Sequence, residues 1–149
     1  MSSTSSRQGT LFPPSQSADV TLVFDGGSLG NPGKGYGSFV YSGTISTTEP
    51  IRLEFPGRTT NNEAEYYSLI NGVKAILSEL RTLHLDPASA TVRVLSDSKL
   101  VVEQVSGRWK VKHEGLKPRH REAVELLRTF GTWKLEWHPR AESVRMLGH

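Results

Sequence analysis

A chain of 149 residues with 36% hydrophobic content suits one domain built on one core. The absence of cysteine excludes disulfides, thiolate metal sites and cysteine nucleophiles, leaving carboxylates and five histidines as metal ligands. A net charge of +3 fits a polyanionic partner without specifying one, and no apolar run approaches the roughly 20 residues that cross a bilayer.

Residues 1–18 are rich in Ser, Gln and Pro, with Leu11 and Phe12 as their apolar pair, and read as a disordered N-terminal tail. They lack the charged and apolar regions of a signal peptide, so a cytosolic protein with no membrane association is expected. The domain is expected over 19–149. Val20 to Phe24 reads as a strand, and the Gly-rich segment Asp25 to Gly37 reads as a turn before a second strand, Ser38 to Ser42. Ile51 to Phe55 alternates apolar and charged residues as a third strand, which gives an antiparallel meander.

Thr60 and Glu63 have the spacing of a capping box ahead of an apolar-periodic helix, a structural task for Glu63. Glu65 lies about 200° further round and stacks with Leu69, Val73, Ile76 and Leu80 on the inward stripe. A carboxylate there needs a partner, and a metal supplies one. Val92 to Leu95 reads as a buried strand entered by a parallel crossover, with Asp97 just past its C-terminal end, the edge where α/β sheets bind ligands. Ser98 to Val105 and Leu116 to Thr129 read as helices and Trp133 to Trp137 as a fifth strand. The fold class is α/β: a five-stranded mixed sheet, three antiparallel strands followed by parallel crossovers, with helices packed on it.

This order brings Asp25, Glu65 and Asp97 together. Each alone suits a turn or a cap. Converging carboxylates repel and raise one another's pKa, which a divalent cation relieves. Oxygen ligands favour Mg²⁺, with Mn²⁺ as a substitute. Two such ions about 4 Å apart activate a water and stabilise the leaving oxygen at a phosphodiester.

The segments Asp25-Gly26-Gly27-Ser28-Leu29-Gly30-Asn31-Pro32-Gly33, Thr60-Asn61-Asn62-x-x-Glu65 and Ser96-Asp97-Ser98-x-x-Val101 resemble those of the type 1 ribonuclease H family, over about Val20 to Arg140. That family cleaves the RNA strand of RNA/DNA hybrids with two Mg²⁺ ions, leaving a 3′ hydroxyl and a 5′ phosphate. The resemblance implies the ribonuclease H-like fold, an endoribonuclease acting as a monomer, and Asp25, Glu65 and Asp97 as three of four metal-binding carboxylates. It also implies that Ser28, Asn31, Asn61 and Asn62 face the hybrid's minor groove, where amides and hydroxyls reach RNA 2′-OH groups. Arg58 and Thr60 match a pocket for a DNA-strand phosphate. Helix capping is the other task open to Asn61 and Asn62, and glycines 26, 27, 30 and 33 let the backbone approach the groove or form turns.

Two departures qualify the resemblance. Ser106 to Leu116 is short where some members insert a basic, Trp-containing protrusion, as in compact bacterial and archaeal members. Trp109, Lys110 and Lys112 then read as a solvated basic loop with one packed Trp, phosphate contact being the alternative. In compact members a metal-binding Asp stands eight positions after a Pro-Arg proline, and here that count from Pro139 reaches Leu147. A shortened or altered chain, a divergent enzyme using Glu142 or His149 instead, and a weakened nuclease all fit. Activity is expected to be weakened at one metal position. The alternative function is a non-catalytic hybrid-binding domain; an integrase-like domain is disfavoured by Asn61-Asn62 and Gly30 to Gly33. Arg140 matches a family position near the scissile phosphate, with water orientation or product release as its role and a surface Arg as the plain alternative. His84, His113 and His120 read as solvated, and Gln8-Gly9-Thr10-Leu11-Phe12 resembles peptides that dock on the sliding clamp.

Overall fold

The computed structural model describes residues 17–148. Residues 1–16, with the clamp-like Gln8 to Phe12, and His149 lie outside the described residues. The strands β1 (Asp19–Leu29), β2 (Gly33–Gly43), β3 (Ile51–Thr59), β4 (Thr91–Ser96) and β5 (Thr132–Trp137) form one sheet in the order β3-β2-β1-β4-β5. The pairs β1–β2 and β2–β3 are antiparallel, and β1–β4 and β4–β5 are parallel. This is the expected mixed sheet, with β1 at its centre.

Four helices accompany it: α1 (Asn61–Thr82), α2 (Lys99–Val105), α3 (Lys117–Leu127) and α4 (Arg140–Leu147). The capping box forms as expected, with Glu63 N donating to Thr60 Oγ1 and Thr60 N donating to Glu63 Oε1. Alternation along β1 sends Leu22 and Phe24 into a core shared with Tyr66, Leu69, Val73 and Ile76 of α1. Val23 faces the other way, is also buried, and lies on the strand against which α4 packs. Among the described residues no helix is long and apolar enough to cross a membrane.

Several boundaries differ from the expectations. Strand β1 runs on to Leu29 and β2 starts at Gly33, so Asp25 lies within a strand, not at its end. The ladder continues through Gly26–Gly37, Gly27–Tyr36 and Ser28–Gly35, using backbone groups that glycine supplies despite its poor strand propensity. Ala18 is already buried and its carbonyl accepts from Thr91 N, so the core starts one residue before Asp19. The C-terminal segment, for which no element was assigned from the sequence, forms the helix α4.

Candidate active site

Register places the first two carboxylates. The parallel β1–β4 ladder ends at the pair Val23–Leu95, and Asp25 and Asp97 each follow by two residues. They therefore emerge side by side at the same sheet edge. Glu65 reaches them because α1 presses against β1 at Gly26, where a Cβ would stand 2.5 Å from the Ala64 carbonyl carbon and 2.7 Å from Glu65 N. Gly26 thus serves the approach of a helix to a strand, where the expected tasks were approach to the substrate groove or a turn.

One oxygen from each of Asp25, Glu65 and Asp97 lies within 4.8 Å of the others, and this is the only such group among the described residues. Asp25 is 4% exposed. Burial lifts the Glu65 carboxyl to about 8; the hydrogen bond to Ser98 and the charge of Arg140 oppose this, while Asp25 and Asp97 reinforce it. An all-oxygen donor set, acidic, crowded and at a strand edge, fits a hard divalent cation.

Arg140 is the cation the structure itself brings to this cluster. Its Nη1 lies 2.6 Å from Asp25 Oδ2 and 3.2 Å from Asp97 Oδ2. The chain before it is pinned to β4: Trp137 Nε1 donates to the Asp97 carbonyl at 3.2 Å, and His138 N donates to the Ser96 carbonyl at 2.9 Å. His138 is buried, shares a 2.8 Å hydrogen bond between Nε2 and Ser143 Oγ, and is held below the usual histidine range by that burial. Trp137 and His138 carried no assigned role in the sequence. Their only signal was position, directly before Arg140.

Leu147 is fully buried in α4, which packs on β1 and β2. Glu142, a candidate substitute ligand, accepts at Oε1 from Arg145 Nη2 at 2.6 Å and is not one of the three-carboxylate group.

Of the residues expected to read a hybrid, Asn31, Thr60, Asn61 and Asn62 meet at the start of α1. Asn61 N donates to Asn31 Oδ1 at 3.0 Å, tying the β1–β2 turn to the helix. Thr60 is the N-cap, Asn62 is in the first turn, and Arg58 is exposed near the end of β3. Ser28 Oγ is buried and has no hydrogen-bond partner among the described residues.

Several surface readings change. Trp109 is 46% exposed, not packed. His120 is partly buried, with Nε2 3.0 Å from the Gln104 carbonyl and its ring edge-on to Tyr66, and His113 Nδ1 accepts from Gly115 N to cap a 3-10 turn. His120 is therefore not simply solvated, whereas His113 and His84 are exposed.

The reverse transcriptase-like family matches residues 51–145. A bifunctional protein of Mycobacterium tuberculosis is 45% identical over 125 residues, 83% of this chain and 32% of its own length, so the chain spans about a third of that relative. A protein named ribonuclease H from Sulfurovum is 34% identical over 140 residues and 83% of each chain. One named ribonuclease HI from Halobacterium salinarum is 31% identical, covering 91% of this chain and 64% of that one. Among solved structures, the N-terminal RNase H domain of a Mycobacterium tuberculosis protein superposes with a TM-score of 0.72 at 37% identity, covering 88% of this chain and 91% of that one. LC11-RNase H1 in complex with RNA/DNA hybrid gives 0.73 at 26% identity, covering 85% and 90%.

Proposed function

We propose, for a chain that belongs to the ribonuclease H family, that it is an endoribonuclease hydrolysing the RNA strand of RNA/DNA hybrids. The observation that carries this reading is the convergence of Asp25, Glu65 and Asp97, with Asn31 tied to Asn61 at the start of α1. Divalent cations, two Mg²⁺ in the reading we adopt or Mn²⁺ in their stead, would be held by those three carboxylates and would supply activated water and leaving-group stabilisation.

The chain's own groups do the rest. Ser28 Oγ, buried and with no hydrogen-bond partner among the described residues, would bond an RNA 2′-OH, the group that separates RNA from DNA, once uncovered. Asn61 and Asn62, at the positive end of a 22-residue helix, offer amides to the groove, with Thr60 and Arg58 toward a backbone phosphate. Arg140, 60% exposed at its side chain, can leave the carboxylates and turn toward the scissile phosphate. We read the protein as a monomer acting in the cytosol.

The burial of Leu147 favours a second reading, a hybrid-binding domain of weak or no turnover, because it leaves the candidate site with three carboxylates. Cleavage of an end-labelled hybrid in Mg²⁺ or Mn²⁺, with Asp25→Asn alongside, separates the two. Cleavage above the variant with a 5′ phosphate product supports the enzyme; hybrid binding with no cleavage above it supports the binding domain.

A further inference from the structure

Helix α4 starts at Arg140 without a side-chain cap, its N-cap being Pro139. Its first turn is fixed in another way. The residues of α4 that turn inward are Ser143 and Leu147, one turn apart, and both are buried. Ser143 thereby carries a polar atom into the interior, and His138, buried just ahead of the helix, carries another. The two satisfy each other, with His138 Nε2 and Ser143 Oγ 2.8 Å apart.

That hydrogen bond closes a short loop, residues 138–143, with Arg140 inside it. Both ends of the loop are anchored. At one end His138 N donates to the Ser96 carbonyl at 2.9 Å, which ties the loop to the residue directly before Asp97. At the other end α4 packs on β1, the strand that bears Asp25. The backbone of Arg140 is thus fixed to both strands that supply its carboxylate partners, while its side chain, 60% exposed, keeps room to move. On a loose backbone a guanidinium spreads over many positions, and few of them place Nη1 within reach of Asp25 Oδ2 and Asp97 Oδ2 together. Two apolar side chains at 138 and 143 would pack the helix as well; a hydrogen bond adds direction, which packing lacks.

We propose that His138 and Ser143 form a clasp that positions Arg140, so that His138 is a positioning residue acting on turnover through the guanidinium. The proposal rests on the hybrid-cleaving reading for the reaction it serves, but the effect of the clasp on Arg140 is measurable without substrate.

Three variants of the full chain test it. His138→Phe fills the site without the hydrogen bond, and Ser143→Ala, a smaller change, removes the same bond if the first variant fails to fold. His138→Gln returns a polar amide near the place of Nε2. Thermal melts establish folding. In metal-free protein, nitrogen relaxation NMR at Arg140 Nε should give an order parameter above about 0.6 in the parent and below it in His138→Phe and Ser143→Ala, with His138→Gln recovering the parent's value. On labelled hybrid in Mg²⁺, kcat of the first two should fall about tenfold with KM within about twofold, and neither substitution should lower kcat further in a chain that already carries Arg140→Ala. Parent-like order at Arg140 in both variants, whatever their melting temperatures, would overturn the proposal. So would an unchanged kcat in both, or a full loss added on top of Arg140→Ala. A parent that fails to cleave hybrid while the NMR difference is present would count against the hybrid reading and leave the clasp standing, so the two failures are distinguishable.

Discussion

Arg140 Nη1 lies 2.6 Å from Asp25 Oδ2 and bridges on to Asp97, linking the first residue of the last helix to the central strand. A guanidinium between two carboxylates offsets the like-charge repulsion that a divalent cation would otherwise relieve. It also occupies lone pairs that the cation needs. Any metal ion must therefore displace Arg140 or share oxygens with it.

Removing the guanidinium should make metal binding easier. A charge-assisted hydrogen bond contributes about 1.5–3 kcal/mol when shielded, and the exposure of Arg140 reduces this to about 1.4 kcal/mol, a factor of ten in affinity. Titration calorimetry with Mn²⁺ should show Arg140→Ala binding about tenfold more tightly than the parent, while its turnover on hybrid falls. Unchanged or weaker Mn²⁺ affinity would show that Arg140 does not compete with the ion.

The Glu65 carboxyl gives the metal-free protein a characteristic pH dependence. Its folded pKa, about 8, stands above the ordinary 4.5, so between these values the folded chain holds a proton that the unfolded chain releases. Stability from this group is full below about 4.5 and is lost as pH rises toward and through 8. His138, lowered below 6.5, has the opposite sign, adding stability as pH rises to 6.5 and nothing above it. The interval from 6.5 to 8 therefore isolates Glu65. Melting in EDTA should fall across it, and both Glu65→Gln and added Mg²⁺ should flatten the fall; a flat parent profile would contradict the assignment.

Much of this site is legible in the sequence because it depends on local periodicity. The angular step of a helix separates the capping Glu63 from the inward Glu65, and the end of a short apolar strand marks Asp97. Asp25 and Arg140 are 115 residues apart, and their contact depends on the β4–β5 register together with two pins, Trp137 and His138, that leave no local pattern. Helix α4 lacks a side-chain cap, so its start carries no sequence signal. The β1–β2 extension is hidden for a related reason: Gly26, Gly27, Gly35 and Gly37 pair through backbone alone.

Ser28 offers a case in which stability and binding should separate. Its buried Oγ has no partner among the described residues, so Ser28→Ala removes an unsatisfied polar atom and should leave the melting temperature equal or slightly higher. If Ser28 meets a 2′-OH, hybrid affinity should drop by the worth of one hydrogen bond, about threefold to tenfold. Replacing single ribose units with deoxyribose should weaken the parent at one position and leave Ser28→Ala insensitive there. Equal sensitivity of both proteins would remove Ser28 from the reading face.

Leu147 decides whether a fourth carboxylate can simply be restored. By sequence pattern, Leu147→Asp fills the missing place and should revive activity. The structure reverses that expectation, since Leu147 is 0% exposed in a helix packed on β1 and β2. The substitution removes a buried leucine side chain and brings a charge into apolar surroundings. The first change alone costs about 3 kcal/mol, and the second adds to it unless the group is neutralised. Leu147→Asp should therefore melt well below the parent, with a stability loss that grows as pH rises above the ordinary aspartate range because the folded state resists ionisation. Hybrid cleavage per folded molecule should not rise. A variant that keeps the parent's melting temperature and gains activity in Mg²⁺ would mean that residue 147 can turn out of the core to reach the site.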